Sequence, residues 1–239
     1  IAAWGKHRGD YTFAVDPRSG ERYVRTTFDY DGSAGAVWGH DGMTGPTTIT
    51  TLGSVQRGSV EEAEIRFPWR MLSFETRPNF SGHGRWRGGG GIDWRAVNEG
   101  SDGRMSTGSS DGDVVQGKGA LGGQRVPRAR TFILRGDQKI RLKPHRIDPV
   151  KTGDVVVKLS PGGAGVGDPW LRPADKVAMD VGNEKITVEV ARLIYGVIVD
   201  PVTLKLDEAA TAKLRSVPPA RRYEAVINEE TLDIEIKPM

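Results

Sequence analysis

Four histidines, a pair of near-neighbour arginines and several glycine clusters are the parts of this sequence whose types and spacing bear on chemistry. His7, His40, His83 and His145 show no H-x-x-x-H or H-E-x-x-H spacing, so the arrangement that sets two imidazoles on one helical face around zinc is absent. His40 and Asp41, in "HDG", offer one imidazole and one carboxylate and are the weak candidates for a metal. The plainer reading of so short a motif is a turn with both side chains in solvent. His83, in "SGHGRWRGG", reads as a turn residue. In the same stretch Arg85 and Arg87 share parity in an extended chain, with Trp86 opposite. Two guanidiniums on one side could bind a substrate carboxylate or phosphate bidentately. The same parity would let them pair with the glutamates of "EEAE" (61–64) across a sheet, and that structural reading is preferred. No serine occupies a G-x-S-x-G elbow, and Ser109 and Ser110 fall in a loop with no histidine near in sequence.

The stretch "KLSPGGAGVGDPWLRP" (158–173) places glycines directly after an apolar run. A phosphate-binding P-loop needs G-x-x-x-x-G-K-[ST], because its lysine reaches the β- and γ-phosphates and its hydroxyl binds magnesium. Here Gly167 is followed by Asp168 and Pro169, and a carboxylate there repels phosphate. Gly163, Gly165 and Gly167 run G-x-G-x-G, which also misses the dinucleotide fingerprint, and no parallel βαβ context surrounds them. The remaining use of these glycines is tight packing and positive φ where a β-domain ends and helices begin. The expectation is a scaffold.

The elements that must hold these residues are mostly strands. "DYTFAV", "RYVRTTFDY" and "EAEIRFPWRMLSFETR" carry β-branched and aromatic residues with partial alternation. Glycines 88–91 interrupt a further extended stretch and suggest a bulge or close backbone approach. Residues 100–128 have almost no apolar periodicity and read as one long loop. "RTFILR", "QKIRLKP" and "GDVVVKLS" return to strand, with a hairpin turn at Gly136-Asp137 and another turn at Gly153-Asp154. Beyond Pro161 the period becomes helical. Pro173 opens one helix, Thr187 caps a second that stops at Gly196, and Asp207 caps a third that ends before Pro218. "TLDIEIKP" alternates Leu232, Ile234 and Ile236 and reads as a final edge strand. The fold class is α+β: a β-rich, glycine-rich sheet core over 1–160, then a helical C-terminal extension over 161–239.

Composition narrows the classes. Glycine supplies 32 of 239 residues, roughly twice the usual share of about 7%, in short clusters between apolar runs as turn-rich β folds require. Net charge is only +3, with the two signs interspersed, so the basic stripe of a nucleic-acid protein is missing. "RVPRARTFILR" (125–135) is locally basic and reads as a solvated loop entering a strand. The chain has no cysteine, which excludes disulfides, thiolate metal sites and a cysteine nucleophile and fits a cytoplasmic protein. No apolar run approaches a membrane span. The opening "IAAWGKHRGDYTF" reads as mid-protein text, so the chain is expected to be a fragment or a trimmed form.

Several stretches then resemble one family. "DGSAGAVWGHDG", "SVEEAEIRFPWR", "RPNFSGHGRWRGGGG", "LGG" at 121–123, "TGDVVVKLSPGGAGVGDPWLRP" and "ARLIYGV" occur in that order, from about residue 30 to about 200. Together they resemble the C-terminal half of the hydantoinase B / 5-oxoprolinase family, which also contains acetone and acetophenone carboxylase subunits. The resemblance implies part of a B-type subunit of an ATP-dependent cyclic-amide hydrolase. In such systems a hydantoinase A-type partner binds ATP and magnesium and phosphorylates an amide or enol oxygen, activating it for hydrolysis or carboxylation. It also implies a hetero-oligomer and a small-molecule substrate, either a cyclic amide or a ketone. The divalent metal is expected in the N-terminal half of the family, outside this chain. The chain alone is therefore expected to be inactive, and a non-catalytic assembly module is the second alternative. Asn79, Phe80 and His83 depart from the hydrolase pattern "PDSGGAG" and leave the carboxylase branch open.

Overall fold

The structure is a computed structural model that describes residues 2–5, 9–27, 32–45, 59–107, 111–219 and 221–239. His7, Ser109 and Ser110 lie outside the described residues.

The chain order is β1 (Asp10–Val15), β2 (Arg22–Thr27), α1 (Val60–Arg66), β3 (Trp69–Arg77), β4 (Gly91–Asn98), β5 (Gly103–Ser106), α2 (Asp111–Val114), β6 (Arg130–Arg135), β7 (Gln138–Leu142), β8 (Ile147–Val150) and β9 (Val155–Ser160). A 3-10 turn (Pro169–Leu171), α3 (Ala174–Gly182), α4 (Val188–Tyr195), α5 (Glu208–Arg215), β10 (Tyr223–Ile227) and β11 (Ile234–Pro238) follow. The fold is α+β. Every ladder is antiparallel: a four-stranded sheet ordered β2-β1-β5-β8, a five-stranded sheet ordered β3-β4-β9-β6-β7, and the β10–β11 hairpin.

Three layers result. Trp69, Trp94, Ile133 and Val156 of the five-stranded sheet pack against Met105 and Val150 of the four-stranded sheet. On the opposite face, Phe132, Val157 and Leu159 pack against Leu232, Ile227 and Ile234 of the C-terminal hairpin. Strand β9, "VVVKLS", is covered on both faces, which is why it reads as a nearly unbroken apolar run. Lys158 is its exception. It is buried against Asp10 of β1 and lies over the Trp94 ring. Helices α3 and α4 form a separate apolar cluster around Val177, Val190, Ile194 and Tyr195.

The helix caps follow the sequence closely. Thr187 caps α4, Gly196 ends it in the left-handed region at φ 64°, and Asp207 caps α5. Pro173 stands one position earlier than read, as the cap of α3. Three expectations need correction. "EAEIRFPWR" begins as a helix, because Ser59 accepts the amide of Glu62 in an S-x-x-E box and starts α1 before β3. The expected loop over 100–128 contains β5, held between β1 and β8 by its neighbours rather than by its own periodicity. The tail holds the expected final strand, β11, and an unexpected one, β10, beside it. It returns as a hairpin in which Leu232 sits at the turn with φ 66° while Ile234 and Ile236 lie in β11. Among the described residues no helix is long and apolar enough to cross a membrane.

Candidate functional site

The glycine clusters meet in one place. Residues 161–168 thread between the segments around 33–36, 80–91 and 119–124, backbone against backbone. A Cβ on Gly163 would stand 1.8 Å from the Ala34 carbonyl oxygen, and one on Gly88 would stand 1.8 Å from that of Gly163. No side chain fits either contact without moving main chain. The loop's amides are all spent. Gly162 donates to Phe80, Gly163 to Gly89, Ala164 to Ala3, Gly165 to Gln124, Val166 to Trp86 and Gly167 to Ala120, at 2.8–3.1 Å to the carbonyl oxygens. A phosphate cradle needs free, convergent amides, and this loop has none between 162 and 167. Asp168 is engaged too, capping Trp170 and accepting from Arg222.

Against the glycines lies a polar cluster, buried at Arg87, Arg172 and Asp180 and open to solvent at Asp41. Arg172 is 1% exposed and donates both terminal nitrogens to Asp41, each at 2.7 Å. One of those nitrogens also lies 2.9 Å from Asp180, and the other donates to the Arg85 carbonyl. Arg87 shares the Asp180 carboxylate at 3.4 Å and donates its backbone amide to Asp41. Two arginines thus face two carboxylates, and the formal charge closes to zero. Burial alone would raise the Asp41 carboxyl, but the Arg172 hydrogen bonds outweigh it and hold the group below its ordinary value. Beside this network the Nδ1 of His83 lies 3.0 Å from the Tyr195 hydroxyl, ring edge to ring face. Complete burial, helped by Arg87 and Arg172, lowers the His83 imidazole to about 3, so it is neutral at pH 7. Burial likewise raises the Tyr195 phenol.

The candidates named from sequence are therefore only partly brought together. Arg85 and Arg87 do not share a face. Arg85 is exposed and stacks over Trp86 at 5.0 Å, whereas Arg87 is buried on Asp180. The glycines around them break the extended geometry on which shared parity depended. Neither pairs with the 61–64 glutamates: Glu62 holds Arg66, and Glu64 accepts the Met71 amide. His40 is exposed, while Asp41 beside it is committed to Arg172. These two do not fit a metal centre, and among the described residues no group of three or more His, Cys, Asp or Glu could hold an ion. Sequence reading missed Arg172, Asp180 and Tyr195 as partners. Asp180 carried a signal: it lies at i+3 from Val177, a carboxylate on an otherwise apolar helical stripe. The departures at 79 and 83 have local causes. Asn79 takes φ 62° and accepts the amide of Thr187, the cap residue of α4, and His83 seats on Tyr195.

One open cavity of about 220 Å³ adjoins the web, walled by Thr44, Thr76, Arg77, Gly90, Asn183 and Lys185. Gly90 differs from its three neighbours, since its Cβ would meet only the Thr44 side chain at 3.4 Å.

The family model for hydantoinase B/oxoprolinase matches residues 1–169. The caprolactamase subunit beta of Pseudomonas jessenii is 30% identical over 219 residues, covering 88% of this chain and 37% of its own length. The crystal structure of the ATP-dependent caprolactamase from that organism superposes on 90% of this chain with a TM-score of 0.75 at 25% identity, covering 38% of the matched chain. A nucleotide-free acetone carboxylase, at 20% identity and a TM-score of 0.75 over 90% of this chain and 33% of its own, shares the fold. The chain spans little more than a third of the length of the curated relative it matches.

Proposed function

The chain belongs to the hydantoinase B/oxoprolinase family, and on that premise we propose that it forms part of a B-type subunit of an ATP-dependent cyclic-amide hydrolase. In this reading it works in the cytoplasm with an ATP-binding A-type partner, and the partner holds ATP and magnesium. ATP supplies the activating phosphoryl group for the amide oxygen, turning a poor electrophile into one that water can open. This chain's own residues supply a rigid wall, in which glycine-to-glycine packing and the Asp41–Arg172–Asp180–Arg87 network hold the core and the helices in one register.

The observation that carries the proposal is the commitment of every loop amide from Gly162 to Gly167 to a backbone carbonyl. With no donors left for a nucleotide there, this loop serves as scaffold, and the proposal assigns the phosphoryl chemistry to the partner. Cyclic amide is favoured over ketone as the substrate class because caprolactam, named in the 30%-identical relative, is a cyclic amide. The departures at Asn79, Phe80 and His83 keep a ketone carboxylase as the alternative reading, which the test below separates.

The test is reconstitution. The subunit containing this chain, co-purified with an A-type partner, is expected to open caprolactam, hydantoin or 5-oxoproline with ATP consumption, and this chain alone to be inert. ATP hydrolysis that depends on bicarbonate and a ketone would select the carboxylase instead. Turnover by the isolated chain would overturn the scaffold reading.

A further inference from the structure

The locally basic run over residues 125–135 does not simply face solvent, because Arg125 and Arg130 hold the C-terminal hairpin. Over residues 125–141 the charged side chains are Arg125, Arg128, Arg130, Arg135, Lys139 and Arg141 against Asp137 alone. Over the hairpin, residues 223–239, they are Glu224, Glu229, Glu230, Asp233 and Glu235 against Lys237 alone. The two segments meet with opposite sign. Arg125 grips both carboxylate oxygens of Glu224, at 2.8 and 2.9 Å. Glu229 takes Arg130 at 2.5 Å and Arg141 at 3.4 Å. Arg77 of β3 holds Asp233 at 3.1 Å. Lys139 reaches the carbonyl oxygens of Glu229 and Glu230 at the hairpin turn.

Main chain adds nothing to this seam. Strands β10 and β11 pair only with each other. Among the described residues no backbone–backbone hydrogen bond runs from 223–239 to either larger sheet. The apolar part of the seam is small: Leu232 and the half-buried Ile227 and Ile234 lie on Phe132, Val157 and Leu159, and Tyr223 and Ile236 touch the helical cluster. A two-stranded hairpin is marginal by itself in water, so this one depends on its docking. Its ion pairs are partly open to solvent, with the side chains of Arg125, Arg141 and Asp233 at 48%, 40% and 71% exposure. Salt screens such pairs far more than buried ones.

We propose that the C-terminal hairpin is a charge-held clasp, which undocks as a unit while both larger sheets stay folded and does so more readily as ionic strength rises. Elements joined by few buried contacts open below the global transition. The β4-β9-β6 ladders survive the opening because none of their bonds runs to the hairpin. The opening uncovers Phe132, Val157 and Leu159. Added ions weaken every one of the seam's pairs, since each sets a cation of the core against a carboxylate or carbonyl of the hairpin.

The test is hydrogen–deuterium exchange by mass spectrometry on the full subunit containing this chain. Peptides over 223–239 and over β9 are followed at roughly 0.02 and 0.5 M NaCl, where the Debye length falls from about 20 Å to about 4 Å. Hairpin amides are expected to exchange about tenfold or more faster than β9 amides at the low salt, and about fivefold faster again at the high salt, with β9 unchanged. Arg125→Glu alone and Glu224→Arg alone should each speed hairpin exchange about tenfold at low salt, and the two together should return it to within about threefold of the parent. The salt comparison on the parent decides the matter without the variants. Hairpin exchange at the β9 rate, fast exchange indifferent to salt, or a double variant as fast as either single one would overturn the proposal.

Discussion

Arg172 reaches back 131 positions to clamp Asp41, with two guanidinium nitrogens 2.7 Å from the two carboxylate oxygens. The same guanidinium meets Asp180 at 2.9 Å, so one side chain ties the glycine-rich segment to helix α3.

Arg172→Met is expected to destabilise the protein by about 3–5 kcal/mol, because Asp180, 2% exposed at its side chain, would be left buried without its nearest cation. Urea unfolding of the two proteins checks this. A loss below about 1 kcal/mol would show that the clamp contributes little beyond packing.

His83 makes stability depend on pH in a defined window. The unfolded chain binds a proton near the ordinary histidine value of 6.5, but the folded chain does so only at about 3. Between those values the unfolded state holds more protons, so stability falls as pH falls, with a limiting slope of about 1.4 kcal/mol per pH unit. Unfolding free energies from urea between pH 6.5 and 5 should fall along a line that steepens from about half this slope toward the full value in the parent, and along a flatter line in His83→Phe. Equal slopes would mean that the imidazole is not held neutral.

Two glycine substitutions should separate sharply. Gly163→Ala puts a methyl 1.8 Å from the Ala34 carbonyl and should abolish soluble expression or lower Tm steeply. Gly90→Ala meets only the Thr44 side chain at 3.4 Å and should leave Tm within about 2 °C, given that about 1 kcal/mol shifts Tm by roughly 2–4 °C at this size. Normal stability of Gly163→Ala with selective loss of turnover in the assembly would instead make the loop a site.

The buried Asp10–Lys158 pair predicts a strongly coupled double-mutant cycle. Asp10→Leu or Lys158→Met alone should cost about 3–5 kcal/mol by stranding the other charge, while the double variant should lie close to the parent. Chemical denaturation of all four proteins gives the coupling, and simple additivity would contradict it.

The amino-acid sequence by itself determined those features whose causes are local. Thr187, Gly196 and Asp207 set the helix ends through backbone hydrogen bonds a few residues away. Gly136 and Gly153 set turns through their own positive φ. The β-branched run of β9 announced a strand, and the ordered glycine motifs announced the family. Only the tertiary structure decided the rest. The separation of Arg85 from Arg87, the bond between Arg172 and Asp41, and the strand at β5 all depend on partners far away in sequence. So does the direction in which β1 and β2 face. Strand β1 alternates polar and apolar residues, and alternation fixes that its two faces differ. Which face turns inward was settled by Lys158, Trp69 and Trp94 across the layer, because a buried lysine and two indole faces make the polar side of β1 and β2 the better fit.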